Sequence, residues 1–145
     1  MSTDDHKMEA LAHRWHLEAI QAGHPEVVDA IATPDVVVHA NSQEVRGREA
    51  AKQLASALRA AFPDVQITHH EALVAGDRVA IRWSSAATHT GDYFGTPPSG
   101  KQVHFAGLDL FHFQDGKIAE VWIAYDNLGV MQQIGAVRQP ELAGV

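Results

Sequence analysis

Three residues of this sequence have the type and setting for proton transfer: Asp109, Asp126 and His39. The two aspartates flank Asp115-Gly116, a dipeptide between alternating apolar residues and the strongest short-range hairpin signal. A two-residue turn there pairs Gln114 with Lys117. The register then sets Asp109 across from Trp122, Gly107 from Ala124 and Phe105 from Asp126. Alternation places Phe105, Gly107, Asp109, Phe111 and Phe113 on one face with Ile118, Trp122, Ala124 and Asp126. On this reading the two carboxylates stand roughly 13 Å apart, at about 3.3 Å per residue. A carboxylate among Phe and Trp rings has its charged form disfavoured, which suits it to give and take protons near neutral pH. Each aspartate also has a structural reading. Asp126 is a favoured N-cap for a helix starting at Asn127, and for Asp109 the alternative is a purely structural buried hydrogen bond.

His39 closes an apolar run, with Asn41 two residues on and on the same side; a histidine there serves as base or hydrogen-bond donor. His89 and His104 sit at strand ends beside a Gly/Pro-rich loop, 90–101, and are read as pocket contacts. Trp15, Trp83, Tyr93, Phe105 and Trp122 are read as walls suited to a flat, apolar substrate, with core packing the competing role for Trp15.

Other chemistries find less support. The chain has ten histidines, of which His13 and His16 are three apart and His69 and His70 adjacent, but adjacent strand residues point to opposite faces. There is no His-Glu-x-x-His, no Gly-x-Ser-x-Gly elbow and no glycine-rich phosphate loop, and there are no cysteines at all. We therefore expect neither a metal nor a cofactor. The formal charge is −7 and the bases are interspersed with acids, so a nucleic-acid footprint is not expected. Apolar runs are too short to cross a bilayer and the polar, acidic start has no secretory pattern, which together predict a cytoplasmic protein.

Elements able to hold these groups follow from periodicity. Residues 5–22 read as an amphipathic helix stopped at Gly23, 25–31 as a short second helix, and 48–62 as a third ended by Pro63. Strands are expected at 36–39, 65–75, 78–89, 102–114 and 117–126, and a tail helix at 127–135. Helices followed by antiparallel strands predict an α+β fold. The expected shape is a cone, a curved antiparallel sheet around three N-terminal helices with a pocket inside. It occupies one domain, 1–138, with a flexible tail at 139–145.

Three stretches carry a resemblance: 89–101 (His-Thr-Gly-Asp-Tyr-Phe-Gly-Thr-Pro-Pro-Ser-Gly-Lys), 111–126 (Phe-His-Phe-Gln-Asp-Gly-Lys-Ile-Ala-Glu-Val-Trp-Ile-Ala-Tyr-Asp) and 128–135. The sequence resembles the SnoaL-like polyketide cyclases of the ketosteroid-isomerase-like superfamily over about residues 8–137. The resemblance implies a cofactor-free intramolecular aldol cyclase acting on a polyketide-type ester, with Asp126 as acid/base. Steroid isomerases of the superfamily have their oxyanion-side Asp at the position of Asp109 and their base near His39. This chain departs from them in having His39 rather than Asp, and Trp15 or His16 where they have Tyr. No arginine completes the Asp–Arg–Asp set of the epoxide hydrolases. A related isomerase, dehydratase or hydrolase is the alternative activity; a non-catalytic domain binding a hydrophobic small molecule is the alternative class. The hairpin's opposite face, Leu108, Leu110, Val121 and Ile123, is read as a homodimer contact or a helix-packing face.

Overall fold

The chain begins with a helix because Ser2 and Asp5 cap one another. The Asp5 amide donates to Ser2 Oγ at 3.0 Å and the Ser2 amide to Asp5 Oδ2 at 3.1 Å. This helix, α1 (Thr3–Arg14), continues without a break into a π-helical segment, Trp15–Gln21, and ends at Gly23 with φ +75°. Pro25 then opens a short turn, Pro25–Val27, that leads into α2 (Val28–Ile31). Next come β1 (Ala32–Ala40), β2 (Gln43–Arg46) and α3 (Arg48–Ala61). Four long strands follow, β3 (Gln66–Ala75), β4 (Arg78–Thr88), β5 (Gln102–Gln114) and β6 (Lys117–Tyr125), and then α4 (Asn127–Gln133). This computed structural model describes residues 1–138, so the tail expected at 139–145 lies outside the described residues.

The strands form one six-stranded sheet in the order β2-β1-β6-β5-β4-β3. It is antiparallel except between β1 and β6, which run parallel and are joined through β2, α3 and the β3–β5 meander, a connection long enough to allow it. The sheet curves around the helices as an open cone. Its inner face packs Val36, Val38, Ile81, Phe111, Val121 and Ile123 against Ala12, Trp15, Ala19 and Ala51. A second apolar cluster at the other end joins Phe62, Val65, Tyr93 and Val103 to Val130 and Ile134.

The hairpin turn is where the sequence placed it. Asp115 and Gly116 both have positive φ, +52° and +76°, as a two-residue turn of this type requires, and Gln114 faces Lys117. Beyond Phe113–Ile118 the register slips. His112 pairs with Glu120, so Ala119 is a β-bulge, and Asp109 lies opposite Ile123 rather than Trp122. Because side chains alternate, one extra residue exchanges the faces of everything after it. Val121, Ile123 and Tyr125 turn inward, and Trp122, Ala124 and Asp126 turn outward, which reverses the expected assignment of this strand.

Gly107 faces Trp83 across the β4–β5 pair. A Cβ there would fall 2.4 Å from Trp83 Cζ2 and 2.6 Å from the Ala124 carbonyl oxygen, so only glycine lets the indole lie across β5. Gly107→Ala is expected to cost ~1–3 kcal/mol by overpacking. Ala106→Ser, one residue away on the exposed face, should stay within about 0.5 kcal/mol. Denaturant titration of both variants checks this, and equal stabilities would overturn the packing assigned to Trp83.

Candidate active site

Asp109 is fully buried, on the inner face of β5. A carboxyl group in such a position needs hydrogen-bond donors, because an unpaired buried charge costs several kcal/mol. Two donors are supplied. Trp83 Nε1 donates to Oδ1 at 3.0 Å from β4, and His16 Nε2 lies 2.6 Å from Oδ2 at the end of the π-helical segment nearest α1. His16 is itself 3% exposed and packs edge-on against Phe111, with ring centroids 5.9 Å apart.

The polar contacts continue outward from this pair. His16 Nδ1 is 2.7 Å from His69 Nε2, and His69 Nδ1 is 2.5 Å from His13 Nδ1. His13 Nε2 lies 3.4 Å from Glu9 at the surface. A second bulge, at His70, helps to place His69. His69 pairs with Trp83 and points inward, while Glu71 pairs with Arg82 and His70 turns out to bond Ser84 Oγ at 2.7 Å. Burial first, and then the neighbouring histidines His16, His13 and His70, lower the pKa of His69 to about 4, so this ring is neutral at physiological pH.

Asp109 and His16 stand in the wall of a cavity also lined by Ile20, Leu58, Phe62, Ile67, Phe105 and Ile123, with Ser85, Tyr93 and Tyr125 as its other polar groups. Its free volume is about 50 Å³. A second chamber of about 150 Å³ shares Leu58, Tyr93, Ile123 and Tyr125 with the first and opens past Asn41, Phe94 and Asn127. The two phenols stand between the chambers. Tyr93 Oη lies 2.7 Å from Tyr125 Oη and donates to Asn127 Oδ1 at 2.5 Å. Burial first, and then its neighbour Tyr125, holds Tyr93 well above the ordinary tyrosine pKa, and burial raises that of Tyr125 too, so both keep their protons and remain donors.

The expected site residues divide into three groups. Trp83, Phe105, Asp109 and Tyr93 line the cavity, and Asn41, with φ +56°, lines its mouth while accepting the Tyr125 amide at 3.3 Å. Trp15 and His89 are buried beside the cavity. Trp15 packs on Phe111 in the core. His89 lies against Phe62 and Tyr93 and accepts the Ser99 amide at 3.1 Å, which fixes the loop that carries Tyr93.

His39, Trp122, His104 and Asp126 are on the outer side of the sheet, which corrects their assignment to the pocket face. His39 stacks on Trp122 with ring centroids 5.2 Å apart and bonds Glu120 at 2.6 Å. His104 is exposed, and its backbone is clamped by Gln133. Asp126 is exposed and caps α4, accepting the Gly129 amide at 2.9 Å. The physical reason for Trp122 and Asp126 is the Ala119 bulge; His39 follows its parallel neighbour Trp122. Val121 and Ile123 leave the supposed outer apolar face for the same reason, while Leu108 and Leu110 remain on it.

Ser85 and Tyr125 are polar cavity residues not expected from the sequence, His16 is named there only as a match to the tyrosine of the steroid isomerases, and His69, behind His16, is not expected at all. The three-residue spacing of His13 and His16 was the available signal. It puts both on one helix face, but nothing in the sequence shows that His69 meets them there.

This geometry can be set beside known proteins. The SnoaL-like polyketide cyclase family profile matches residues 10–134, nearly the whole chain. The protein belongs to the SnoaL-like polyketide cyclase family. A protein from Jannaschia sp. CCS1, assigned as a SnoaL-like polyketide cyclase, is 27% identical with a TM-score of 0.88, over 94% of this chain and 97% of its own. AclR of Streptomyces galilaeus, assigned as a hydroxylase, is 25% identical with a TM-score of 0.81, over 94% of this chain and 86% of its own. A Catenulispora acidiphila protein with a ketosteroid-isomerase-like fold is 17% identical with a TM-score of 0.73, over 86% and 92%, and this likeness concerns fold alone. No curated protein is similar enough to count as a match. Family and fold together support cyclase- or isomerase-type catalysis on a small molecule in the apolar pocket. No helix among the described residues is long and apolar enough to cross a membrane.

The depressed pKa of His69 makes a stability prediction. Unfolded, the ring takes up a proton near pH 6.5; folded, it does so only near 4. The unfolded state therefore binds more protons between those values, and stability falls as pH drops from about 6.5 towards 4. After allowance for partial exposure, the contribution is ~1–2 kcal/mol. Denaturant unfolding at pH 7 and 4.5 should show wild type losing that much more stability than His69→Gln. Equal losses would mean that His69 is not held neutral by its surroundings.

Proposed function

We propose that this protein catalyses cofactor-free proton transfer next to a carbonyl, as a cyclase closing a ring by intramolecular aldol addition in a polyketide-type ester. What carries the reading is the Asp109–His16 pair, 2.6 Å apart and buried in the wall of a mainly apolar cavity. Asp109 is the base that takes the proton from the acidic carbon and returns it later. His16 shares that proton through Oδ2, and Trp83 holds Oδ1, so the carboxyl group is fixed in orientation at the cavity wall.

An enolate oxygen formed in this step needs a donor. Tyr125 is the candidate, since it lines the inner chamber and its O–H can turn there from Tyr93. Fixed donors of this kind are commonly the largest catalytic term in a water-poor site. The roles first expected of Asp126 and His39 thus pass to Asp109, His16 and Tyr125.

The chamber volumes set the substrate's posture. About 50 Å³ holds the reacting carbonyl and its carbon, and the remaining rings lie in the outer chamber beneath Phe94 and Met131. A multi-ring substrate requires Phe62, Phe105 or Tyr93 to move aside as it enters.

The test is carbon-bound hydrogen exchange in D2O, followed by NMR, across a panel of aromatic β-keto esters and diketones. Asp109→Asn should lower the accelerated exchange by ~10²–10⁴-fold, and His16→Gln should lower it as well. Asp126→Asn, which still caps α4, should stay within ~3-fold of wild type. Exchange that survives in Asp109→Asn but disappears in Asp126→Asn would return the acid/base role to Asp126. Tight binding without exchange in any case would leave a binding domain.

A further inference from the structure

Acid/base chemistry at Asp109 poses a difficulty of supply, because both Asp109 and His16 are shut off from water. A proton taken from a substrate must leave before the next turnover, unless the same proton is always returned. The cavity's walls are mainly apolar, and the polar groups towards its mouth are the tyrosines and Asn127, which do not touch the Asp109–His16 pair.

The histidines offer an exit. From Asp109 to Glu9 each ring nitrogen faces the next group: Oδ2 to His16 Nε2 at 2.6 Å, His16 Nδ1 to His69 Nε2 at 2.7 Å, and His69 Nδ1 to His13 Nδ1 at 2.5 Å. His13 Nε2 ends the row, 3.4 Å from Glu9, with the His13 side chain 31% exposed. The nitrogens face one another in single file and do not converge on a shared point, so the arrangement is a chain and not a cage. We infer that His16, His69 and His13 form a proton wire connecting the buried Asp109 with bulk water at Glu9. This inference rests on Asp109 and His16 being the acid/base pair.

The wire has two states that balance. In the first, Asp109 is a carboxylate, His16 and His69 each carry their proton on Nε2, and His13 is doubly protonated beside Glu9. In the second, Asp109 is protonated, His16 and His69 carry their protons on Nδ1, and His13 keeps a proton on Nε2 alone. Both hold four protons, and three short hops convert one into the other: His13 to His69, His69 to His16, His16 to Asp109. Each hop breaks one N–H bond and forms one N–H or O–H bond, with no net change in number. Run in reverse, the same three hops carry a proton taken up at Asp109 out to His13 Nδ1, and the doubly protonated His13 then gives its Nε2 proton to water.

A relay ring must be neutral at rest, able to accept on one nitrogen while donating from the other. His69 meets this condition. The titratable groups around it are His13 and His16 from the helix, and His70 on its own strand; Trp83 lies opposite it on β4, and Asp109 lies beyond His16.

Two measurements test the wire, and the first needs no substrate. In ¹⁵N-histidine NMR of the free protein, saturation transfer from water to the His16 ring N–H reads its exchange rate. His69→Phe, which keeps a ring but no nitrogens, and His13→Gln, at a partly exposed position, should each slow that exchange at least ~10-fold with Asp109 still present. Unchanged exchange in both variants would overturn the wire, whatever the protein's reaction. Slowing in both, together with substrate exchange that Asp109→Asn leaves intact, would overturn the assigned reaction and keep the conduit. The second measurement uses a substrate from the exchange panel. His69→Phe should lower kcat for deuterium wash-in about 10-fold, with KM within about twofold and partial rescue by added imidazole. Lost activity with a raised KM and no rescue would mark His69 as a structural residue and overturn its relay role.

Discussion

A carboxyl group with no exposure at all is the constraint around which this molecule is arranged. Asp109 sits in mid-strand, a position that disfavours aspartate on local grounds. It is stable there because two donors from two other elements meet it. The Trp83 donor depends on the absence of a side chain at Gly107, since a single Cβ would collide with the indole. The His16 donor depends on the first helix pressing onto β5, which it does along a π-helical stretch whose Trp15, His16 and Ala19 are all buried. Such departures from α-helical geometry are common where a helix serves a site. Remove any one of these supports and the desolvation of Asp109 is no longer offset.

The polar row beyond Asp109 also bears on that energy balance. One isolated buried charge is costly, whereas the Asp109 carboxyl is hydrogen-bonded to the first member of a polar row that reaches the surface at Glu9. With His69 neutral, no charge is held in the middle of that row. The arrangement that makes the site tolerable in folding is thus the same one that makes it able to transfer protons. Stability and proposed chemistry draw on one set of contacts.

The fold was largely legible in the sequence, and the site only in part. Alternation, Gly-Asp and Asp-Gly turns, and the Gly23 and Pro63 stops located four long strands, three N-terminal helices and the tail helix. Two features escaped. The edge strand β2 has four residues and no distinctive pattern, and the parallel pairing of β1 with β6 joins segments far apart in the chain. At the cavity, Asp109, Trp83 and Phe105 face inward as expected because alternation on β4 and β5 is unbroken, while Tyr93 reaches it from the loop between those strands. Asp126 and Trp122 were assigned to the wrong face because Ala119 is an ordinary alanine. Nothing in its type distinguishes a bulged residue from a paired one, yet a slip of one residue reverses a whole strand. The meeting of His16 with His69 was missed for a different reason: they come together only through packing of the first helix on β3, across more than fifty residues of sequence.

The bulge separates two surfaces that a regular hairpin would have merged. Had β6 paired without it, Trp122 and Asp126 would share the interior with Phe105 and Asp109. The cavity would then hold two acids and lose the apolar wall of Ile123 and the phenol of Tyr125. With it, the interior keeps one carboxyl group, and the second is spent on capping α4, whose Asn127 accepts the Tyr93 hydroxyl at the chamber boundary. Asp126 therefore still bears on the pocket, through the helix it starts and the tyrosine that helix holds. A single inserted residue thus decides which aspartate is positioned for chemistry and which for architecture, and β4 and β5 leave that choice unchanged because their pairing stays in phase throughout.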